Sequence, residues 1–434
     1  MLKNRNITPW LWVPTLYFAE GIPYFVVNNI SVALLTSMRV PNGEMALFTS
    51  LLYLPWVIKP LWSPFVDVIR SKRWWIVAMQ VLMTAMFVGL AVSLPVPDAD
   101  AMNAHAVPIS TFKVTLIIFW VTAFASATHD IAADGFYMHA LDTHSQSVFV
   151  GIRSLFYRIS SVFGQGVLVM IAGKLMLRTG MTVSWTITLI LTALLFGGIT
   201  LWHSFSLPVP ESDGTTAKRS AGEIFRGFGQ SFATFFSKKG VVIAIIFMLL
   251  YRLPEALSLK LLNPFFIDSV ETGGLGLRLD NYGFLYGTVG VVALIAGGLL
   301  GGLAAGRWGL KKCLWPMALS LALPCSVYLI MAIAQPSSLW FIGTCVAVDQ
   351  FGYGFGFTAY MVYMMYFSQG EFKTSHYAIC TAFMALSMMV PGLFAGYLQQ
   401  ALGYVGFFVL VMACCLATVG VTFLIKVDPE YGKK

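Results

Sequence analysis

Ser63-Pro-Phe-Val-Asp67-Val-Ile-Arg70-Ser-Lys72-Arg73 ends one long apolar run, and Gly302-Leu-Ala-Ala-Gly306-Arg307-Trp-Gly309-Leu-Lys311-Lys312 ends another in the second half of the chain. The two stretches align at a constant offset, with a small residue at the start and a basic pair at the end. A small residue lets two apolar helices approach, an Asp can accept from a neighbouring helix terminus, and the cations hold the loop in water on one side of a membrane. An ordinary basic loop accounts for the charges but not for matched spacing at two corresponding places. The chain therefore reads as two similar halves, each carrying one such loop, in which Asp67, Arg70, Arg73, Arg307 and Lys311 are candidate gating residues.

The composition around these loops fits a membrane. Of 434 residues 58% are hydrophobic and 11% charged, and the mean hydropathy is +0.78. A soluble domain carries about 25% charged residues. Crossing a hydrocarbon core of about 30 Å takes about 20 apolar residues, so roughly twelve spans with their loops use up this length. Apolar windows place spans near 10–38, 44–66, 74–95, 112–140, 147–172 and 183–203, and again near 240–268, 282–305, 313–334, 339–368, 374–400 and 404–425. The expected division is an N-terminal six-helix half over 1–207, a linker over 208–239 and a C-terminal six-helix half over 240–434. Within the linker, Ile224, Phe225, Phe228, Phe232 and Phe235 recur at helical spacing, so this part either lies flat on the membrane surface or is a plain connector.

Lys and Arg are distributed unevenly between alternate loops. One side holds seventeen, including Lys3, Arg5, Arg70, Lys72, Arg73, Arg226, Lys238, Arg307, Lys311 and Lys373; the other holds Arg39, Lys113, Lys174, Arg178 and Arg278. Because cytoplasmic loops retain positive charge, both termini are expected in the cytoplasm. The basic excess thus reports topology, and no nucleic-acid partner is expected. Lys3 and Arg5 precede an apolar run longer than a signal-peptide core, which is expected to stay as the first span. The six cysteines, all in apolar stretches of the second half, show no metal-binding spacing; no metal or cofactor motif is found.

A charge in hydrocarbon costs at least about 2.5 kcal/mol, so each charged residue inside a span is a candidate functional group, with a paired structural role as the competing reading. In the first span Glu20 lies about 15 Å into the membrane, near the midplane, followed by Pro23, Tyr24 and Asn28. Pro23 removes one backbone hydrogen bond and predicts a kink beside the carboxylate. In the fourth span Asp130 and Asp134 stand at i and i+4, on one helical face, with His129 beside them. The fifth span returns antiparallel with Arg153, Tyr157 and Arg158, and a hairpin turning near residue 144 predicts the pairs Asp130 with Arg158 and Asp134 with Arg153. In the seventh span Arg252 and Glu255 can satisfy each other, with Lys260 further on; the tenth carries Asp349, Gln350 and Tyr353, with glycines at 352, 354 and 356 that suit close helix packing or a flexible gate. Tyr286 in the eighth span adds a further ring with a hydroxyl.

These readings give Glu20, Asp130, Asp134, Glu255 and Asp349 as candidates for proton coupling. Tyr24, Asn28, His129, Tyr157, Arg158, Arg252, Gln350, Tyr353 and Tyr286 are candidates for substrate binding. An intramembrane enzyme would need catalytic residues on facing helices; His129 and Asp130 are adjacent, point about 100° apart and form no dyad, so no enzymatic activity is expected.

The paired basic loops resemble the loop between the second and third spans of the major facilitator superfamily, which recurs between the eighth and ninth spans. Here Ser63, Val68 and Arg70 depart from its Gly, Arg and Gly, and Gly306 from its Asp. Phe18-Ala-Glu20-Gly21-Ile-Pro23, Lys59-Pro-Leu-Trp62-Ser63-Pro64-Phe-Val-Asp67, Ser126-Ala-Thr-His129-Asp130-Ile-Ala-Ala-Asp134, Tyr157-Arg158 and Leu250-Tyr251-Arg252-Leu-Pro-Glu255 resemble the AmpG-type muropeptide permeases, a branch of that superfamily related to the acetyl-coenzyme A transporters. The family usually has Gln where His129 stands, and often Asp where Glu255 stands. The resemblance implies an all-helical twelve-span importer in the bacterial inner membrane, taking anhydromuropeptides into the cytoplasm with protons. It implies a sugar-peptide and protons as partners, and a monomer is expected. The alternative is a transporter or exporter of another amphiphilic or acyl-carrying solute.

Overall fold

The computed structural model describes residues 8–104, 106–141, 143–209, 221–429 and 431. The charged linker residues Glu211, Asp213, Lys218 and Arg219, and the side chain of Asp67, lie outside the described residues. All regular structure among the described residues is helical. The first half contains α1 (Pro9–Ser37), α2 (Asn42–Val66), α3 (Lys72–Ser93), α4 (Ile109–Ala140), α5 (Ile152–Thr179) and α6 (Met181–Ser206). The second half contains α7 (Val241–Ile267), α8 (Leu279–Trp308), α9 (Leu310–Ala334) and α10 (Leu339–Phe367), followed by the long helix Ser375–Leu424. That last element runs 50 residues, about 75 Å if straight and more than twice the hydrocarbon thickness. It turns at Gly403, whose φ of 68° only glycine adopts freely, giving two arms, α11 and α12.

Loop contacts sort the helix ends onto two sides. Arg73 donates to the backbone oxygens of Ser204 (2.6 Å) and Leu207 (3.1 Å), Lys238 to those of Phe367 and Gln369, and the Leu310 N–H to Tyr431, so the basic loops and the chain beyond α12 share one side. On the far side the Val107 N–H donates to Arg39 and the Gln335 side chain to Val270. Arg73 therefore caps the carbonyl end of α6, which the sequence did not suggest. Arg70 is exposed, Lys311 is exposed and Arg307 lies 5.7 Å over the Trp308 ring. In the linker, the helix Ala221–Phe236 turns Phe235 wholly inward against Phe367, His376 and Phe383, so part of its apolar face meets protein and not lipid.

Glycine sets the closest helix contacts. A Cβ on Gly352 would fall 2.2 Å from the Ser320 carbonyl of α9, and one on Gly354 would fall 2.1 Å from the Leu294 carbonyl of α8, so these α10 glycines serve close packing on two faces. The same device joins the two halves on the far side. A Cβ on Gly287 of α8 would meet the Gln165 carbonyl of α5 at 2.2 Å, and one on Gly396 of α11 would meet the Asn42 carbonyl of α2 at 2.0 Å. The helix of α1 continues through Pro23, and the irregularity comes three residues later as a π-helical turn at Val26–Ile30. Similar turns occur in α5 (Val162–Leu168) and α8 (Leu285–Gly290), where the two halves touch.

A cavity between the two halves

A cavity of about 530 Å³ lies between the halves, and every proton-coupling candidate, Glu20, Asp130, Asp134, Glu255 and Asp349, lines it. So do Tyr24, Tyr157, Arg158, Arg252, Gln350, Tyr353 and Tyr286. With the halves sealed on the far side, it opens toward the basic loops. Exposure follows that direction: the side chains of Asp134 and Arg153 remain 39% and 30% exposed, whereas Arg252 keeps 7%.

The first half supplies one charged pole. Arg153 of α5 binds Asp134 of α4 at 2.7 Å, Tyr17 donates to the same carboxylate at 3.3 Å, and the guanidinium lies 4.5 Å over the Tyr17 ring. Asp130 pairs with Lys59 of α2, not with Arg158. The pairing of Asp130 with Arg158 expected from the hairpin is thus corrected: equal depth does not bring two side chains to the same helical face. Arg158 instead turns toward α8, where its Nη2 would lie 3.5 Å from a Cβ on Gly298. It makes no ion pair among the described residues. Glu20 is 9% exposed and lies within interaction range of Asp130 and Asp134, and its Oε2 has no hydrogen-bond partner among the described residues.

The second half supplies the other pole. Leu250 ends one stretch of α7 and Leu253 begins the next, because Pro254 brings no backbone N–H to continue the ladder. Arg252 sits in that break and grips Glu255 through two bonds of 2.8 Å, with the Tyr353 hydroxyl at 2.9 Å and the Phe357 ring at 4.7 Å. Paired and ringed in this way, Arg252 can be buried without leaving its charge unmatched. Asp349 accepts from the Tyr328 hydroxyl at 2.7 Å and from Gln350 at 2.9 Å. Between the poles Tyr24 packs against Trp56 at 5.2 Å, Tyr157 at 6.4 Å and Tyr53 at 6.5 Å, forming an aromatic wall.

Two candidates fall elsewhere. Asn28 is buried away from the cavity and its amide donates to the Tyr24 carbonyl at 3.1 Å. His129 points into the first half, where its Nε2 lies 2.9 Å from Gln80 Nε2. Gln80 Oε1 is 3.0 Å from His203 Nδ1, and His203 Nε2 is 2.9 Å from Thr15 Oγ1. This buried network ties α1, α3, α4 and α6 together. Lys59, Tyr17, Gln165 and Tyr328 line the cavity but were not among the site residues chosen from sequence. A Lys inside a span was a usable signal for the first.

The sequence model of the BT1 family matches residues 20–312. The anhydromuropeptide permease of Escherichia coli (strain K12) is 23% identical over 96% of this chain and 80% of its own length. The putative transporter AmpG 4 of Rickettsia conorii is 22% identical over 92% of both chains. An uncharacterised protein of Haemophilus influenzae is 24% identical over 90% of this chain and 88% of that one. The structure superposes on a D-xylose-proton symporter with a TM-score of 0.71 at 15% identity, covering 98% of this chain and 99% of that one. On the nucleoside transporter NupG the TM-score is 0.65 at 13% identity, covering 95% and 96%. The fold is the major facilitator fold of two six-helix halves, and the molecule is a multi-pass membrane transporter.

Proposed function

The chain belongs to the BT1 family, and we propose that it imports anhydromuropeptides (GlcNAc-anhydroMurNAc peptides) together with protons across the bacterial inner membrane. The observation that carries this reading is the asymmetry of charge in the cavity. Three cations are matched by carboxylates, Lys59 by Asp130, Arg153 by Asp134 and Arg252 by Glu255. Asp349 is met by neutral donors, and Glu20 and Arg158 are left over. An unmatched carboxylate at the midplane can be carried across uncharged once it holds a proton, and an unmatched guanidinium is a ready anchor for a substrate carboxylate.

In this reading the aromatic wall of Tyr24, Trp56 and Tyr157 stacks on the sugar rings. Arg158 takes a carboxylate of the peptide part, and Gln350, Tyr286 and Tyr328 offer hydrogen bonds to amides. Substrate and proton enter from the periplasm, the far side closes along the glycine seams, and both leave toward the basic loops, which lie in the cytoplasm with both termini. The binding site lies between the halves, as alternating access requires. Met361, Met384 and Met388 also line the cavity. They favour a second reading, an amphiphilic or acyl-carrying solute, because flexible thioethers adapt to apolar chains.

The test is uptake of labelled anhydro-disaccharide peptide into proteoliposomes with and without an imposed proton gradient. Accumulation above equilibrium only with the gradient supports import. Equal uptake in both conditions overturns the coupling, and no uptake of the disaccharide peptide overturns the substrate.

A further inference from the structure

Closing the far side brings α2 of the first half against the far-side ends of α7, α11 and α12. We propose that this seam is a balanced gate, in which the Asn42 side chain holds the far side shut and the buried amine of Lys260 works against closure.

The holding element is compact. The Asn42 amide donates to Gln399 Oε1 at 2.9 Å, to the Tyr404 hydroxyl at 3.2 Å and, more weakly, to Asp268 Oδ2 at 3.4 Å. The Tyr404 hydroxyl in turn donates to Asp268 Oδ2 at 2.6 Å. One side chain of the first half thus engages groups from α11, α12 and the end of α7, beside the contact of Gly396 with the Asn42 backbone. Opening the far side has to break the three Asn42 bonds together, while the Tyr404–Asp268 bond stays within the second half.

The opposing element lies deeper in the same seam. Lys260 of α7 is 2% exposed, and its Nζ has the Thr49 hydroxyl at 3.3 Å and the Tyr53 ring at 5.0 Å. Both partners come from α2, so separation of the halves would uncover the amine. A Cβ on Gly392 of α11 would lie 3.4 Å from Lys260 Cγ, so the stem of Lys260 packs beside α11. Lys260 makes no ion pair among the described residues. One hydroxyl and one ring do not replace the hydration of an ammonium, whichever protonation state the amine takes on entering the seam. Closure therefore costs free energy at Lys260 and recovers it at Asn42, which keeps the two states of the carrier within reach of each other.

The two elements predict opposite effects, which hydrogen–deuterium exchange of the full-length protein in lipid nanodiscs can read. Asn42→Ala should speed exchange about tenfold around residues 39–45 and 268–275 and slow it around 136–141 and 367–372, as the population shifts toward the state open on the far side. Lys260→Met, of similar length and without the amine, should do the reverse. Tyr404→Phe, which keeps the ring and loses the hydroxyl, should follow Asn42→Ala in the same direction. Faster exchange at both ends in Asn42→Ala and Tyr404→Phe would mean lost stability and not a released latch, and would overturn the proposal. So would a Lys260→Met protein that matches the parent or shifts the same way as Asn42→Ala.

Discussion

Asp130 of α4 is held by Lys59 of α2, seventy-one residues earlier in the chain, while Arg158 in the neighbouring α5 stays outside any ion pair among the described residues. This joins the second and fourth helices of the first half and leaves Arg158 of the fifth to face the other half.

Lys59 and Asp130 are 19% and 18% exposed, so removing one partner leaves a largely desolvated charge. Lys59→Ala is expected to destabilise the protein by about 3 kcal/mol. The double variant Lys59→Ala/Asp130→Ala should recover much of that loss. Thermal unfolding in detergent measures both, and a double variant less stable than Lys59→Ala would refute the coupling.

Glu20→Gln keeps shape and hydrogen-bonding capacity but cannot titrate. It is expected to exchange substrate across the membrane at the parent's rate while losing accumulation driven by a proton gradient. Counterflow and gradient-driven uptake, measured on the same proteoliposomes, separate the two. Gradient-driven accumulation equal to the parent's would remove Glu20 as the carrier.

Arg158 and Arg153 should behave differently. Arg158→Ala breaks no ion pair and is expected to alter stability by less than about 0.5 kcal/mol, while raising the substrate KM about tenfold, which corresponds to about 1.4 kcal/mol. Arg153→Ala unpairs Asp134 and removes the cation over the Tyr17 ring. With both side chains about a third exposed, it should lose about 1 kcal/mol of stability. Thermal unfolding and initial uptake rates decide; an unchanged KM in Arg158→Ala would rule out an anchoring role.

Gln80→Leu deletes the group between His129 and His203, which are 1% and 0% exposed. Two buried imidazoles lose a partner, so unfolding should become easier by about 2 kcal/mol. None of the three lines the cavity, so the KM of the folded fraction should stay the same. A changed KM with unchanged stability would contradict a purely structural role for His129.

Much of this site was legible in the chain. The pair Arg252 with Glu255 lies on one helix, where spacing fixes both depth and face; the hairpin fixes depth alone, and of its two expected pairs only Asp134 with Arg153 formed. The glycines of α10 announced close packing, and they turned out to serve two different neighbours. The pair Lys59 with Asp130 was not legible, because neither residue has its partner within a helical turn. His129 read as a binding residue because it stands beside Asp130, yet adjacent side chains on a helix point about 100° apart, and one faces the cavity while the other faces the bundle.

What the sequence by itself determined is the set of spans, the duplicated loops and the depth of each charge, since hydrophobic length and helical rise are local quantities. Only the tertiary structure decided which helix face each charge meets. That depends on how helices rotate and cross when glycines let them touch, and so it alone paired Asp130 with Lys59, turned Arg158 toward the cavity and buried Lys260 between the halves.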